Sequence, residues 1–389
     1  MENARYNTLQ RLLNEQKCFK VIAGAGNEDE DQVKKIAFIY TLAGAKLIDV
    51  SANIKVIKSA SEGVELAFKL SKKLDIKLKT KPFIVTSVGM PGDHHVRKSY
   101  IDPSTCIACN LCIPVCPTNA IPKNFTDNLR EYISKGGSFE TEDQQKEIVI
   151  KDLCIGCGKC SNICPKDNII SYRHNEKELN KLLPLCMDAG AESFELHAAV
   201  AEDDITKKEW ILINDVNPHN YNSMCLDRLN LGNLNIEKRV GEAKKISKGK
   251  IIIQADGYPM SGGENDYNTT LQAIACADVL NKKFNMRKNV KEKKSGPGKA
   301  SLSSKKIYRS LNHPLGIHIL LSGGTNFLTK KLANIAGVRF SGIAIGTFAR
   351  DIIENYIQDD NFYDKKKIIK NAYLTAKKLV NANIGKINE

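Results

Sequence analysis

Two cysteine motifs with identical spacing constrain the fold of this 389-residue chain more than any other feature. The first reads CIACNLCIPVCP over residues 106–117, and the second reads CIGCGKCSNICP over 154–165. Both follow the spacing C-x2-C-x2-C-x3-C-P, and the flanking segments 102–121 and 151–170 resemble each other. A chain of this length without an export signal is expected to keep its thiols reduced. The eight cysteines therefore indicate a metal-binding module rather than a disulfide framework.

The spacing is that of bacterial-type ferredoxins. Three thiolates on a tight loop cap three irons of one cubane, and the fourth cysteine of each motif crosses to the other cluster. The motifs therefore predict two [4Fe–4S] clusters, with zinc or a cluster lacking one iron as the alternatives. The predicted ligands are Cys106, Cys109, Cys112 and Cys164 for cluster 1, and Cys154, Cys157, Cys160 and Cys116 for cluster 2.

Small residues between the ligands are expected to let backbone N–H groups approach the sulfur atoms and tune the reduction potential. These residues are Ala108 in the first motif and Gly156 and Gly158 in the second.

The remaining four cysteines are predicted to be small buried hydrophobic residues, because each lies among apolar neighbours. They are Cys18, Cys186, Cys225 and Cys276. The chain also lacks an apolar run long enough to cross a membrane and a secretory signal. We expect a cytoplasmic protein.

Eight apolar segments resembling buried strands alternate with amphipathic segments of helical period. This alternation predicts a (β/α)8 barrel, with a doubly wound open sheet as the alternative. The predicted strands are FKVIAGA (19–25), KLIDV (46–50), PFIVTSV (82–88), SFELHAAV (193–200), YNSMCLD (221–227), KIIIQADG (250–257), GIHILLSGG (316–324) and FSGIAIG (340–346).

The cysteine motifs interrupt this alternation after the third predicted strand. We therefore predict a two-cluster ferredoxin module over 91–174, inserted at the end of a strand where such barrels carry their function. The first part of the barrel would occupy 1–90, its remainder 175–358, and a C-terminal helix 359–389.

The formal net charge of +14 is concentrated in one segment. Residues 282–306 hold ten Lys or Arg and one Glu, which leaves only +5 for the rest of the chain. The segment is rich in Lys, Ser and Gly, so it is expected to be a solvated loop, with a binding segment for an acidic partner as the alternative. Nucleic-acid binding is disfavoured, because the segment has no aromatic residue beyond Phe284 and no folded reader motif.

The barrel itself offers weaker signals. LLSGGTN (320–326) and IAIGTFAR (343–350) follow the last two strands, where many barrels bind phosphate through backbone N–H groups. Gly323, Gly324, Gly346 and Thr347 are the candidate phosphate-binding residues, and tight turns are the alternative.

Polar residues at other strand ends are also candidates for function. Glu195 and His197 share a strand face and could form an acid–base pair or a structural hydrogen bond. His94 and His95 are expected to form a polar hinge, with a ligand or proton-coupling role as the alternative, and the role of PMSGG (259–263) stays open. The other polar strand-end residues are Gly24, Gly26, Asn27, Asp49, Asp227, Arg228, Gln254 and Asp256.

Several stretches, in order along the chain, resemble the light-dependent period protein family of cyanobacteria. They are AGAGNEDEDQVKKIAFIYTLAGAKLIDVSAN, SVGMPGDHHVRK, the two cysteine motifs, FELHAAV, IQADGYPMSGG, LLSGGTN and IAIGTFAR. The resemblance implies an iron–sulfur protein that reports light-dependent redox state to the circadian clock, with clock-input sensor kinases as partners. The eight motif cysteines carry over by position, and the family supplies no catalytic residue for the barrel.

Two functions follow as hypotheses. The first is a non-enzymatic redox sensor with two clusters. The alternative is an FMN-dependent oxidoreductase, in which the ferredoxin module feeds electrons to a flavin held by the phosphate-binding loops. The lack of an evident strand-end lysine disfavours the flavin. The electron donor and acceptor stay unknown.

Overall fold

The structure is a computed structural model of the chain. It describes residues 2–24, 26–27, 29–89, 99–116, 119–134, 136, 148–150, 153–154, 159–166, 169–172, 176–199, 203–257, 266–286, 316–359 and 361–384.

Eight parallel strands form a closed barrel, in which each barrel strand pairs with the next one along the chain and the last pairs with the first. Closure through the register Cys18↔Gly342 confirms the predicted (β/α)8 barrel and excludes the open sheet. Each predicted strand segment overlaps one barrel strand. The strands are β1 Cys18–Gly24, β2 Leu47–Ser51, β3 Phe83–Gly89, β6 Ser193–His197, β7 Asn222–Asp227, β8 Ile251–Asp256, β9 His318–Ser322 and β10 Gly342–Ile345.

Helices surround the barrel and bury their apolar faces against the strands. The segment 203–216, which the strand and helix patterns leave unassigned, is also a helix. The α-helices that the structure describes outside the inserted module are Glu2–Asn14, Glu30–Ala43, Ile54–Ser71, Glu176–Asp188, Asp203–Val216, Arg228–Ile246, Asp266–Leu280, Thr329–Ile335, Thr347–Ile357 and Lys366–Ile384.

The first helix, Glu2–Asn14, covers the N-terminal end of the barrel. Leu9 and Leu13 are fully buried in one apolar cluster with inward-facing side chains of the strand starts, such as Leu47 and Phe83. Because these residues fill the lower end of the barrel, the interior polar residues lie above them, toward the C-terminal ends of the strands.

The cysteine motifs lie between β3 and β6, as the sequence predicts. Strand β4 (Ser99–Ile101) pairs antiparallel with β5 (Ile170–Tyr172), and this two-stranded sheet joins the two ends of the segment. Its apolar cluster is separate from that of the barrel and contains Ile101, Phe125 and Leu129. The boundaries of the module stay a prediction. Its described helices are Cys112–Val115, Phe125–Ser134 and Lys159–Ile163.

The Lys-rich segment begins in a π-helical turn, Asn281–Asn285, directly after the helix Asp266–Leu280. Lys282 and Lys283 pair with Asp278 and Glu237. The rest of the segment lies outside the described residues, so its conformation stays a prediction. Among the helices that the structure describes, none is both long and apolar enough to cross a membrane.

Candidate functional site

Four cysteines from both motifs line one small pocket in the inserted module. Cys106, Cys109 and Cys112 come from the first motif, and Cys164 is the last cysteine of the second. These are the four residues that the sequence assigns to cluster 1. Cys109 is exposed whereas Cys112 is buried, so one edge of the cavity faces solvent. Ligation of a cluster by these residues stays a prediction.

The loop of the first motif bends through two residues in the left-handed region. Ala108 has φ 53° and Asn110 has φ 63°. L-residues rarely adopt this conformation because their Cβ crowds the backbone, whereas glycine adopts it readily. The equivalent positions of the second motif are Gly156 and Gly158. Glycine at both equivalent positions of the second motif is therefore the residue type that this left-handed conformation favours.

Cysteines of the second predicted site already accept hydrogen bonds at sulfur. The Ser99 backbone N–H lies 3.3 Å from Cys154 Sγ, and the Ser99 hydroxyl lies 3.5 Å from the same sulfur. The Ala120 N–H donates to Cys116 Sγ over 3.2 Å. Cys154 and Cys160 are buried, while Cys157 lies outside the described residues together with Gly156, Gly158 and Pro117.

The donor set of the module suits an iron–sulfur cluster. Burial raises the pKa of the Cys112 thiol to about 11 and also raises the pKa of Cys106. A bound metal deprotonates coordinating thiols, so a cation must supply the charge that keeps these sulfurs ionised. Soft thiolates from two loops, with N–H donors directed at sulfur, fit this requirement.

The predicted phosphate-binding residues lie at the C-terminal ends of the adjacent strands β9 and β10. Gly323 and Gly324 have φ 74° and 62°, which glycine allows. Gly346 precedes the helix Thr347–Ile357, whose first N–H groups face the strand end. Arg350 donates to Thr347 Oγ1 over 3.2 Å, and burial lowers the pKa of its guanidinium. Phosphate binding here stays a prediction.

A buried lysine occupies the centre of the barrel. Lys20 Nζ lies 2.7 Å from Asp49 Oδ2, 2.5 Å from Glu195 Oε2 and 3.1 Å from Gln254 Oε1. Asp49, Glu195 and Gln254 are on β2, β6 and β8. Strands β6 and β8 are not neighbours of β1, so these side chains can meet only inside the barrel. Lys20 is 1% exposed, and both carboxylates are fully buried.

The two carboxylates differ in electrostatic environment. Burial raises the pKa of Asp49 to about 6, although Lys20 and a hydrogen bond from Ser87 oppose the shift. Burial also acts to raise the pKa of Glu195. The charges of Lys20 and His197 and a hydrogen bond from Ser223 act in the opposite direction and together hold the pKa of Glu195 below its usual range. Glu195 is therefore the carboxylate that stays ionised when the pH falls.

The predicted Glu195–His197 pair is close but not tightly hydrogen-bonded. His197 Nε2 lies 3.5 Å from Glu195 Oε1 and 3.3 Å from Ser87 Oγ. Cys225, on the adjacent strand β7, lies 3.4 Å from Asp256 Oδ2. Cys225 is buried, as predicted, but polar groups surround it. The structure thus brings three other predicted strand-end residues, Asp49, Gln254 and Asp256, into the barrel interior beside Glu195 and His197.

Sequence reasoning missed Lys20 as a site residue. The signal was present, since Lys20 is the only charged residue in the strand CFKVIAG and is on the face that points inward. The other predicted strand-end residues have local roles. The side chain of Asp227 accepts from the Asn230 N–H at a helix start, and Arg228 bonds Asn233. His94, His95 and 259–263 lie outside the described residues.

Comparisons with known proteins agree with this architecture. Residues 105–167 match a family described as a 4Fe-4S double cluster binding domain, and residues 2–79 match a family described as a protein of unknown function, DUF561. The chain is 30% identical to Light dependent period A of Synechococcus elongatus over 116 residues. These aligned residues make up 29% of this chain and 31% of that protein. It is 45% identical over 42 residues to a ferredoxin of Alicyclobacillus acidocaldarius, covering 10% of this chain and 54% of the ferredoxin.

The match thus spans about a third of the first relative and about half of the second. The chain carries a 4Fe–4S cluster-binding domain within a β/α barrel. The resemblance to the light-dependent period protein family, predicted from the order of its sequence motifs, is confirmed.

Proposed function

We propose that this protein binds two [4Fe–4S] clusters, responds to light-dependent redox state and relays that state to the circadian clock. The observation that carries the proposal is the cavity lined by Cys106, Cys109, Cys112 and Cys164 within a domain of the 4Fe–4S double-cluster class. Clusters of this kind, when bound, accept and release single electrons. The partners that we propose are clock-input sensor kinases, from the family resemblance. The expected cytoplasmic location also stays a proposal.

The position of Cys164 supports the crossed arrangement of ligands that we propose. This residue is distant from the first motif along the chain, yet it lines the cavity of that motif. In an uncrossed arrangement, Cys116 would complete the first site instead. We therefore expect Cys164→Ala to remove cluster 1 and Cys116→Ala to remove cluster 2, as judged by iron content and electron paramagnetic resonance after reduction.

The exposed Cys109 offers cluster 1 a route for electron entry. An electron reaches an exposed edge most readily, so we expect it to enter beside this cysteine. At the second site, the Ser99 N–H donates to Cys154 Sγ, and Ser99 stands on β4, the first described strand after β3.

A cellular experiment tests the sensing step. The pair Cys109→Ser and Cys157→Ser weakens both clusters, and Cys186→Ser is the matched control because Cys186 is a buried barrel cysteine outside both motifs. We expect the double variant to abolish the light-dependent change in circadian period and the control to preserve it. An unchanged light response in the double variant, with its iron content lost, would contradict the proposal.

The second candidate function is an oxidoreductase whose barrel binds the phosphate of FMN. Gly323, Gly324 and the helix beginning at Thr347 support it, as does Arg350 beside that helix start. Lys20 is already paired with two carboxylates, so it does not supply the lysine that a flavin ring would use. Flavin fluorescence released on denaturation of purified protein, and lost in Arg350→Met, would favour this candidate over the sensor.

A further inference from the structure

The upper half of the barrel interior gathers three different metal-binding donors. One ligand atom each from Glu195, His197 and Cys225 lies within 4.8 Å of the other two. All three residues are buried, with 0%, 4% and 2% exposure. The register of β6 and β7 pairs His197 with Cys225, so the backbone holds these two positions side by side. The group lies outside the cysteine motifs and is not used by the proposed redox function.

The interior beside these donors is rich in carboxylates. Asp49 and Glu195 share Lys20 as a partner, and Asp256 Oδ2 lies 3.4 Å from Cys225 Sγ. A cation held by Glu195 and Cys225 would therefore lie next to acidic side chains, and Coulombic attraction to them would favour its binding.

The orientation of Glu195 leaves one oxygen on the side of the other donors. Its Oε2 accepts from Lys20 Nζ at 2.5 Å and from Ser223 Oγ at 2.8 Å. Its Oε1 lies 3.5 Å from His197 Nε2. Lys20 and Ser223 thus orient the carboxylate in the way that outer-shell partners orient metal ligands.

The distances are near those of a tetrahedral zinc site. Ligand bonds of about 2.0 to 2.3 Å place neighbouring donor atoms about 3.3 to 3.6 Å apart. The Glu195–His197 separation of 3.5 Å meets this value. All three donor atoms lie within 4.8 Å of one another, so the donors need to close by no more than about 1.5 Å, which rotation of the Cys225 and His197 side chains can supply.

We propose that Glu195, His197 and Cys225 bind one divalent transition-metal ion of the zinc class at the C-terminal mouth of the barrel. Three protein ligands of mixed oxygen, nitrogen and sulfur type leave a fourth position for water or a ligand, as in catalytic rather than structural zinc sites. The mouth is also the face on which barrels of this class act. The metal site is independent of the iron–sulfur clusters.

Metal titration of the full chain, with its clusters assembled, tests the site. The probe is Co²⁺, which reports a thiolate ligand by a charge-transfer band and a tetrahedral site by its d–d bands. We expect one Co²⁺ per chain beyond the iron, displaced by Zn²⁺, and an affinity reduced at least about tenfold in Cys225→Ser and His197→Asn. Cys186→Ser and His318→Asn are the controls, because both remove a buried side chain outside the site.

Survival of the cobalt bands in Cys225→Ser, or equal Co²⁺ binding by all four variants, would overturn the proposal. Should either site variant fail to fold, zinc X-ray absorption of the unaltered protein decides. One sulfur with nitrogen and oxygen neighbours supports the barrel site. A sulfur-only shell places zinc at the cysteine motifs and overturns it. Purified unaltered protein that binds Co²⁺ at this site but holds no iron would contradict the proposed redox function and still support the barrel metal site.

Discussion

Replacing Lys20 with Met removes the cation that pairs with two buried carboxylates, and its cost can be worked out from the structure. Lys20, Asp49 and Glu195 are at most 1% exposed, so solvent screens them little. Breaking a buried ion pair by removing one partner costs about 3 to 5 kcal/mol. We expect the free energy of unfolding of Lys20→Met to fall by this amount at pH 7.

The pH dependence identifies the cause. Glu195 has a folded pKa below its usual 4.5, so its ion pair stabilises the fold above pH 4.5 and is lost as the pH falls through the folded pKa. Without Lys20 the buried carboxylate takes up a proton instead. Protonating a group of pKa 4.5 costs about 3 kcal/mol at pH 7 but only about 1 kcal/mol at pH 5. The defect of Lys20→Met is therefore smaller at pH 5 than at pH 7.

Asp49 adds to this trend. Its folded pKa is raised to about 6 from 3.8, so its ionisation destabilises the fold as the pH rises from about 4 to above 6. Loss of Lys20 raises that pKa further. The double variant Lys20→Met with Glu195→Gln removes one of the unpaired charges, and we expect it to recover part of the lost stability.

Urea unfolding followed by tryptophan fluorescence measures the effect. Trp210 is the single tryptophan of the chain, is fully buried, and donates to the Ala243 carbonyl of a neighbouring barrel helix, so it reports unfolding of the barrel. Lys17→Met is the control, because the Lys17–Glu15 pair is exposed and screened by solvent, so its loss changes the stability little. A Lys20→Met variant within 1 kcal/mol of the parent at both pH values would refute the reasoning, because this cost follows from the buried pair.

Three further predictions concern other parts of the chain. Gly342→Ala places a Cβ 2.1 Å from the Cys18 carbonyl oxygen where the barrel closes, so we expect insoluble or unfolded protein. The control Gly241→Ala lies at an open helical position and should raise the free energy of unfolding in urea by about 0.5 to 1 kcal/mol. Ala108→Gly should keep the full iron content and Ala108→Val should lose iron, because φ at this position is 53°. Equal iron in both would contradict a strained loop. Ser99→Ala removes the hydroxyl that lies 3.5 Å from Cys154 Sγ, so we expect a lower reduction potential of one cluster in a redox titration, and an unchanged potential would show that this hydroxyl does not act on the cluster.

The barrel and the module could be read from the sequence because their signals are local. Strand segments such as KIIIQADG contain a short apolar run that ends in polar residues and glycine, and the spacing of the cysteine motifs is specific to one kind of cluster. The helix Asp203–Val216 was not predicted, because Asp, Lys and Asn interrupt its apolar pattern. Trp210 and Ile213 are its buried hydrophobic residues.

The interior site could not be read in the same way. Lys20, Glu195 and Cys225 are far apart in the chain and meet only because the barrel closes, and the strand pattern does not fix which inward positions share a level. The pKa difference between Asp49 and Glu195 likewise depends on which carboxylate receives the Lys20, His197 and serine contacts, and those are properties of the closed barrel.

Iron and acid-labile sulfide analysis of protein prepared without oxygen tests the central claim most directly. Two cubanes require about eight iron and about eight sulfide per chain, with the iron of a [4Fe–4S] type in Mössbauer spectra. Replacing Cys164 should lower the iron by about half, because one cluster is lost. Protein that holds zinc in the cysteine motifs, or no metal and no acid-labile sulfide, would contradict the account.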